Sequence, residues 1–91
     1  MSLDDRLKIL RLELDELDTK IFNLLIKRYE LCKEIGKLKH SLNIPLYQQE
    51  RYNEKKNKII TKAKKANLPP DYLEEIYELI HKFCIKVQSM E

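Results

Sequence analysis

The chain has 91 residues, 18 of them lysine or arginine against 15 acids, and 43% of it is hydrophobic. A net charge of +3 does not by itself name nucleic acid as a partner, and a chain this short gives a single copy only a thin core, so partner chains are plausible. No apolar run approaches the roughly 18 residues of a membrane span, and Met1-Ser2-Leu3-Asp4-Asp5 has neither a basic nor an apolar leader segment, so the chain reads as cytoplasmic and away from membranes.

The first predicted element is a long helix. Ser2 and Asp5 fit a capping box, and nothing breaks the helical pattern until Asn43-Ile44-Pro45, where the residue before proline is pushed extended. The helix is expected from about Asp4 to Leu42. Alternating steps of four and three from Leu3 give Leu7, Leu10, Leu14, Leu17, Ile21, Leu24, Arg28, Leu31, Ile35, Leu38 and Leu42, so eleven of twelve seam positions are aliphatic. The exception, Arg28, is a permanent cation at an a position and requires an anionic neighbour, from the protein or from a ligand. A helix of that length would reach roughly 58 Å, too far for one small chain to cover. Gly36, the only glycine, falls inside it at a cost of about 1 kcal/mol relative to alanine and points to close approach by another group.

A second helix is expected over Gln48 to Ala66, with Tyr52, Ile59, Ala63 and Ala66 as its apolar stripe. Its many lysines (Lys55, Lys56, Lys58, Lys62, Lys64 and Lys65) read as a solvated face, because Glu50 and Glu54 interrupt the run and few aromatics interleave for base stacking. Asn67-Leu68-Pro69-Pro70 then breaks the chain. Asp71, Glu74 and Glu75 open a third helix that is expected to reach Gln88, with a face of Leu73, Ile76, Ile80, Phe83 and Val87 widened by Tyr72, Tyr77 and Leu79. No segment alternates with the period of a strand. Cys32 and Cys84 are far apart, without a CxxC pair or a His at ligand spacing, which argues against a disulfide or a zinc site and predicts two small buried thiols.

The polar residues on these helices share faces. Arg28 and Lys39 are eleven residues apart, about three full turns, so both project from nearly the same side of the first helix about 16 Å apart along its axis. Arg11 precedes Arg28 by seventeen residues, about 25 Å of rise and 100° of rotation, which one straight helix cannot close. An antiparallel second copy could. Folding the chain as three helices could gather Arg28, Lys39, Arg51 and Gln88 around one cationic cavity that lacks an obvious nucleophile or poised base. Cys84 and Gln88 form an i, i+4 pair beside it.

Leu25-x-x-Arg28-x-x-Leu31-x-x-x-Ile35-Gly36-Lys37-x-Lys39, followed by Pro45 and Arg51, with Arg11 before it and Gln88 near the end, resembles the all-helical class of chorismate mutase. The resemblance runs from about Leu7 to Gln88, nearly the whole chain. It implies an all-α fold of three helices per chain in an intertwined antiparallel homodimer, with residues 1–91 as one domain. It implies conversion of chorismate to prephenate in phenylalanine and tyrosine biosynthesis, with no cofactor and no metal. Arg28 and Arg11 of the partner subunit would hold the two carboxylates of chorismate. Lys39 would contact a carboxylate and the ether oxygen, Gln88 would donate to that oxygen, Arg51 would support the wall, and Gln48 and Cys84 would line it. The family usually has an acid directly after the arginine of the second helix, where it accepts from the substrate hydroxyl. Here that position is Tyr52, and Gln48 stands where aspartate or a similar small polar group is common. The alternatives are an isochorismate pyruvate-lyase on the same fold and a non-catalytic helical module for dimerisation or nucleic-acid binding.

Overall fold

A computed structural model describes all residues, 1–91, as three helices and no strand: α1 (Leu3–Leu42), α2 (Gln49–Lys65) and α3 (Pro70–Ser89). The all-α class is the expected one, and each boundary lies within one or two residues of the sequence reading. At the start of α1 the Asp5 backbone N–H donates to Ser2 Oγ at 3.1 Å, which satisfies one of the donors a helix N-terminus leaves without an internal partner. The stop differs in mechanism from the expected one. Asn43 takes a left-handed conformation with φ of 56°, its N–H donates to His40 O at 3.4 Å, and the Ile44 N–H reaches back to Lys39 O at 2.9 Å. This is a Schellman closure, and Pro45 prevents re-entry into the helix after it.

Helix α2 ends in the same way. Asn67 also has φ of 56°, its N–H donates to Lys64 O at 3.2 Å, and the Leu68 N–H donates to Ala63 O at 2.9 Å. Asparagine fits both positions because its short polar side chain tolerates the left-handed region better than most non-glycine residues. Pro70 then occupies the first turn of α3, where a missing N–H leaves nothing unsatisfied, and Asp71 sits beside it in the same turn.

The chain comprises two compact stretches, Met1–Glu30 and Leu31–Glu91. The first is the N-terminal part of α1. Its seam leucines are exposed, Leu14 at 59% and Leu24 at 59% among them.

The second stretch holds the end of α1 with α2 and α3. On α3 the line Leu73, Tyr77, Ile80, Cys84, Val87 faces inward, with Gln88 beside it, while Ile76, Leu79, Tyr72 and Phe83 remain exposed. Leu73, Ile80 and Val87 are shared with the expected line, and Tyr77 and Cys84 take the places of Ile76 and Phe83, which turns the stripe by roughly 40°. On α2 Ala63 is buried and Tyr52, Lys56, Ile59 and Ile60 are half-buried; Ala66, expected in the stripe, is the exposed cap residue. Aromatic rings join the two helices: Tyr52 lies 4.6 Å from His81 and 5.8 Å from Tyr77 between centroids, and Tyr47 meets His81 edge-on at 5.8 Å. A Lys56–Glu74 ion pair at 2.8 Å flanks them.

Helices α1 and α3 are joined covalently. Cys32 and Cys84 form a disulfide with their Cα atoms 5.5 Å apart, which overturns the expectation of two free thiols. The expectation rested on separation in sequence. From Cys32 to Gly36 the end of α1 runs alongside Cys84 to Gln88 of α3 in the same direction, so residues 52 apart come within bridging distance. One turn further along, Gly36 lies against the α3 backbone: a Cβ on it would sit 2.7 Å from Gln88 Cα and 2.8 Å from Gln88 O. The group whose approach Gly36 implied is thus the main chain of α3.

Candidate active site

The site is built where the last turns of α1 meet the end of α3. The Schellman turn and Pro45 fold the chain back so that the Leu46 carbonyl faces α1. Lys39, half-buried, donates through Nζ to Leu46 O at 2.7 Å and to Gln88 Oε1 at 2.9 Å. Gln88 is 4% exposed, an unusual place for a polar side chain, and its amide is oriented at both ends. While Oε1 accepts from Lys39, Nε2 donates to Cys84 Sγ at 3.3 Å. A connected line therefore runs from the Cys32–Cys84 disulfide through the Gln88 amide to the Lys39 ammonium.

Both partners that hold Lys39 are neutral. Burial lowers its pKa below the usual lysine value, and the positive charge of Arg51 lowers it further. An ammonium has three donors and two are occupied, so one N–H of Lys39 remains for a ligand, as does the second N–H of the Gln88 amide. A desolvated cation with a second cation nearby and only neutral hydrogen-bond partners is stabilised by an incoming anion.

Of the residues the sequence singled out, Lys39, Gln88 and Cys84 are brought into direct contact, and Arg51 is close enough for its charge to act on Lys39. Arg51 and Gln48 are themselves exposed, Gln48 standing just before α2. Tyr52 is engaged elsewhere: its hydroxyl donates to Glu78 Oε1 at 3.3 Å, and its pKa is raised by burial first and then by the Glu78 carboxylate. Arg11 and Arg28 lie on the exposed surface of α1 in the first stretch.

Sequence reasoning missed the Leu46 carbonyl, Glu78 and the disulfide. One signal for the last was present. Cys32 precedes Gly36 by four residues and Cys84 precedes Gln88 by four, so two parallel helices touching at Gly36 and Gln88 also juxtapose the cysteines one turn earlier.

These features define a class: small all-helical domains in which a half-buried lysine meets a buried glutamine. Comparison with known proteins places the chain within it. Residues 10–89 match the family described as chorismate mutase type II. The T-protein of Haemophilus influenzae is 37% identical over 76 residues, which cover 84% of this chain and 20% of that protein. The bifunctional chorismate mutase/prephenate dehydratase of Aquifex aeolicus is 34% identical over 88 residues, covering 93% of this chain and 24% of the other. The chorismate mutase of Methanocaldococcus jannaschii is 27% identical, with 96% and 90% covered. Among solved structures, a conserved hypothetical protein from Pyrococcus furiosus superposes with a TM-score of 0.73 at 34% identity, covering 97% of this chain and 99% of that one. The chain belongs to the type II chorismate mutase family. It spans about a fifth to a quarter of the length of the T-protein and of the Aquifex enzyme.

Proposed function

We propose that this chain is a chorismate mutase that converts chorismate to prephenate, a step toward phenylalanine and tyrosine, as a single-domain homodimer in the cytoplasm. The observation that carries the reading is the half-buried Lys39 paired with the buried Gln88 amide, with donors to spare and with its charge uncompensated by its own partners. The rearrangement breaks a C–O bond and forms a C–C bond within one molecule, so it asks for no nucleophile and no proton relay from the protein. The protein must hold a dianion in its reactive conformer and supply donors where the ether oxygen gathers negative charge. A millionfold acceleration corresponds to about 8 kcal/mol, within the reach of preorganised charge-assisted hydrogen bonds in a dry pocket.

In this reading Arg28 and Arg11 of the partner subunit bind the two carboxylates. The free N–H of Lys39 goes to a carboxylate and the ether oxygen, and the second N–H of Gln88 goes to the same oxygen. Arg51 supports the wall and keeps the site cationic. Gln48 and Tyr52 line the end that receives the ring hydroxyl, with the phenolic oxygen of Tyr52 accepting while its proton is given to Glu78, and Cys84 lines the wall as a disulfide sulfur. The exposed seam of α1, and Ile76 and Leu79 on α3, support a second copy as the cover for this apolar surface.

Incubation with chorismate tests the reading directly, with prephenate as the expected product and saturable kinetics. Formation of salicylate and pyruvate from isochorismate, without prephenate from chorismate, would make the chain a pyruvate-lyase. Salt-sensitive DNA binding with no turnover of either compound would make it a binding module.

A further inference from the structure

The disulfide and the catalytic amide are parts of one device. Cys84 Sγ accepts from Gln88 Nε2 at 3.3 Å, and Gln88 Oε1 accepts from Lys39 Nζ at 2.9 Å, so the sulfur fixes which way the amide faces. Cys32, Cys84 and Gln88 are all buried, and Gly36, one turn from Cys32, already touches the main chain of Gln88 without room for a methyl group. The two helices are therefore at their closest approach where the disulfide and Gln88 sit. Reduction removes the covalent tie between the two helices, and in a close-packed interior two separate thiols need more room than a bonded pair of sulfurs. A thiol also offers the amide a different partner, since its S–H can donate as well as accept.

We infer that the Cys32–Cys84 disulfide is a redox-sensitive positioning element of the active site: oxidised, it aims the Gln88 amide and holds it against Lys39; reduced, it releases the amide and lowers turnover. The inference rests on the chorismate mutase reading and adds a regulation to that site. The reductant is a dithiol, of protein or small-molecule origin. One of its thiolates attacks a sulfur of the pair and displaces the other as a thiolate, and its second thiol then resolves the mixed disulfide. In sum, two electrons and two protons pass to Cys32 and Cys84, which become thiols, and the dithiol becomes a disulfide. In the cytoplasmic setting proposed above, disulfides that form are characteristically transient or redox-sensing.

The test compares the oxidised protein with protein treated with dithiothreitol, the two thiols being confirmed by titration. The expected result is a fall in kcat of about tenfold or more on reduction, with KM changed little, reversed on reoxidation. Cys32→Ala should show the reduced-state kcat and no response to dithiothreitol. In Gln88→Ala, whose residual turnover lacks the aimed amide, reduction should cause no further loss, an outcome a merely structural disulfide would not produce. Equal kcat for the oxidised and reduced protein would overturn the inference while leaving the mutase reading intact. So would loss of the helical circular dichroism on reduction, because the bond would then be a staple and nothing more. Absence of turnover in the oxidised protein would instead count against the mutase reading. In that event the side-chain amide resonances of Gln88, assigned by their disappearance in Gln88→Ala, decide: a shift between redox states upholds the positioning role, and an unmoved pair of signals refutes it.

Discussion

Lys39 is held by a carbonyl and an amide, neither of which neutralises it, and it lies within the field of Arg51. Its charged form is therefore disfavoured in the folded protein, first by burial and second by Arg51. With the folded pKa below the unfolded value of 10.5, the native state binds fewer protons between the two, so the contribution of Lys39 to stability is least favourable at lower pH and improves as pH rises through that window. Activity should run the other way. The charged donor is lost on the alkaline side, so kcat/KM for chorismate is expected to fall with a limb that begins below pH 10.5, and Arg51→Met should move that limb to higher pH by removing the lesser of the two causes. Between pH 8 and 6 the profile should be nearly flat, because the Gln88 amide donates without titrating. A steep rise in activity toward acid would remove Gln88 as the neutral donor to the ether oxygen. An alkaline limb unmoved by Arg51→Met would remove Arg51 from the electrostatics of the site.

At the scale of elements, two close contacts set the geometry. Replacing Gly36 with alanine ought to stabilise an ordinary helix by about 1 kcal/mol. Here the new methyl would meet the main chain of Gln88 at 2.7–2.8 Å, and backbone cannot swing aside. Gly36→Ala is expected to destabilise by about 1–3 kcal/mol in chemical denaturation and to lower kcat; a gain in stability would contradict the tight crossing of α1 and α3. Tyr52→Phe removes the donation to Glu78 and should cost about 1 kcal/mol. In the same variant a rise in KM for chorismate of several-fold is expected from loss of the phenolic acceptor, and an unchanged KM would confine Tyr52 to packing between α2 and α3.

Much of this was legible in the sequence because it follows from local rules. The heptad steps from Leu3 to Leu42, the serine cap and the proline breaks fix the helices. Both stops were placed correctly for an incomplete reason, since Asn43 and Asn67 close the helices and the prolines only follow. Lys39 was singled out by its spacing to Arg28, Arg51 and Gln88 by their places in a three-helix chain and by the family resemblance, and Gly36 by the cost of a glycine in a helix. The disulfide, the Leu46 carbonyl and the Tyr52–Glu78 bond were not found, because each depends on which faces of different helices meet. The two exposed positions of the expected α3 stripe have the same origin: Ile76 and Phe83 have helical spacing as good as that of Tyr77 and Cys84, and only the partner surface distinguishes neighbouring positions 100° apart.

For the whole molecule, the exposed leucines of α1 and the position of Arg11 bear on one proposal. A continuous aliphatic seam is rarely left exposed to water, and Arg11 and Arg28 are too far apart on one straight helix to bind a single small dianion. An antiparallel homodimer answers both, with two sites that each take Arg28 from one chain and Arg11 from the other. Complementation between protomers measures this directly. Arg11→Ala and Arg28→Ala should each be inactive as homodimers, and mixing and refolding them should restore chorismate turnover, because one of the two sites in each heterodimer contains both arginines. Recovery approaching half the wild-type kcat per heterodimer is the predicted result. Verified heterodimers that stay inactive would contradict the shared site.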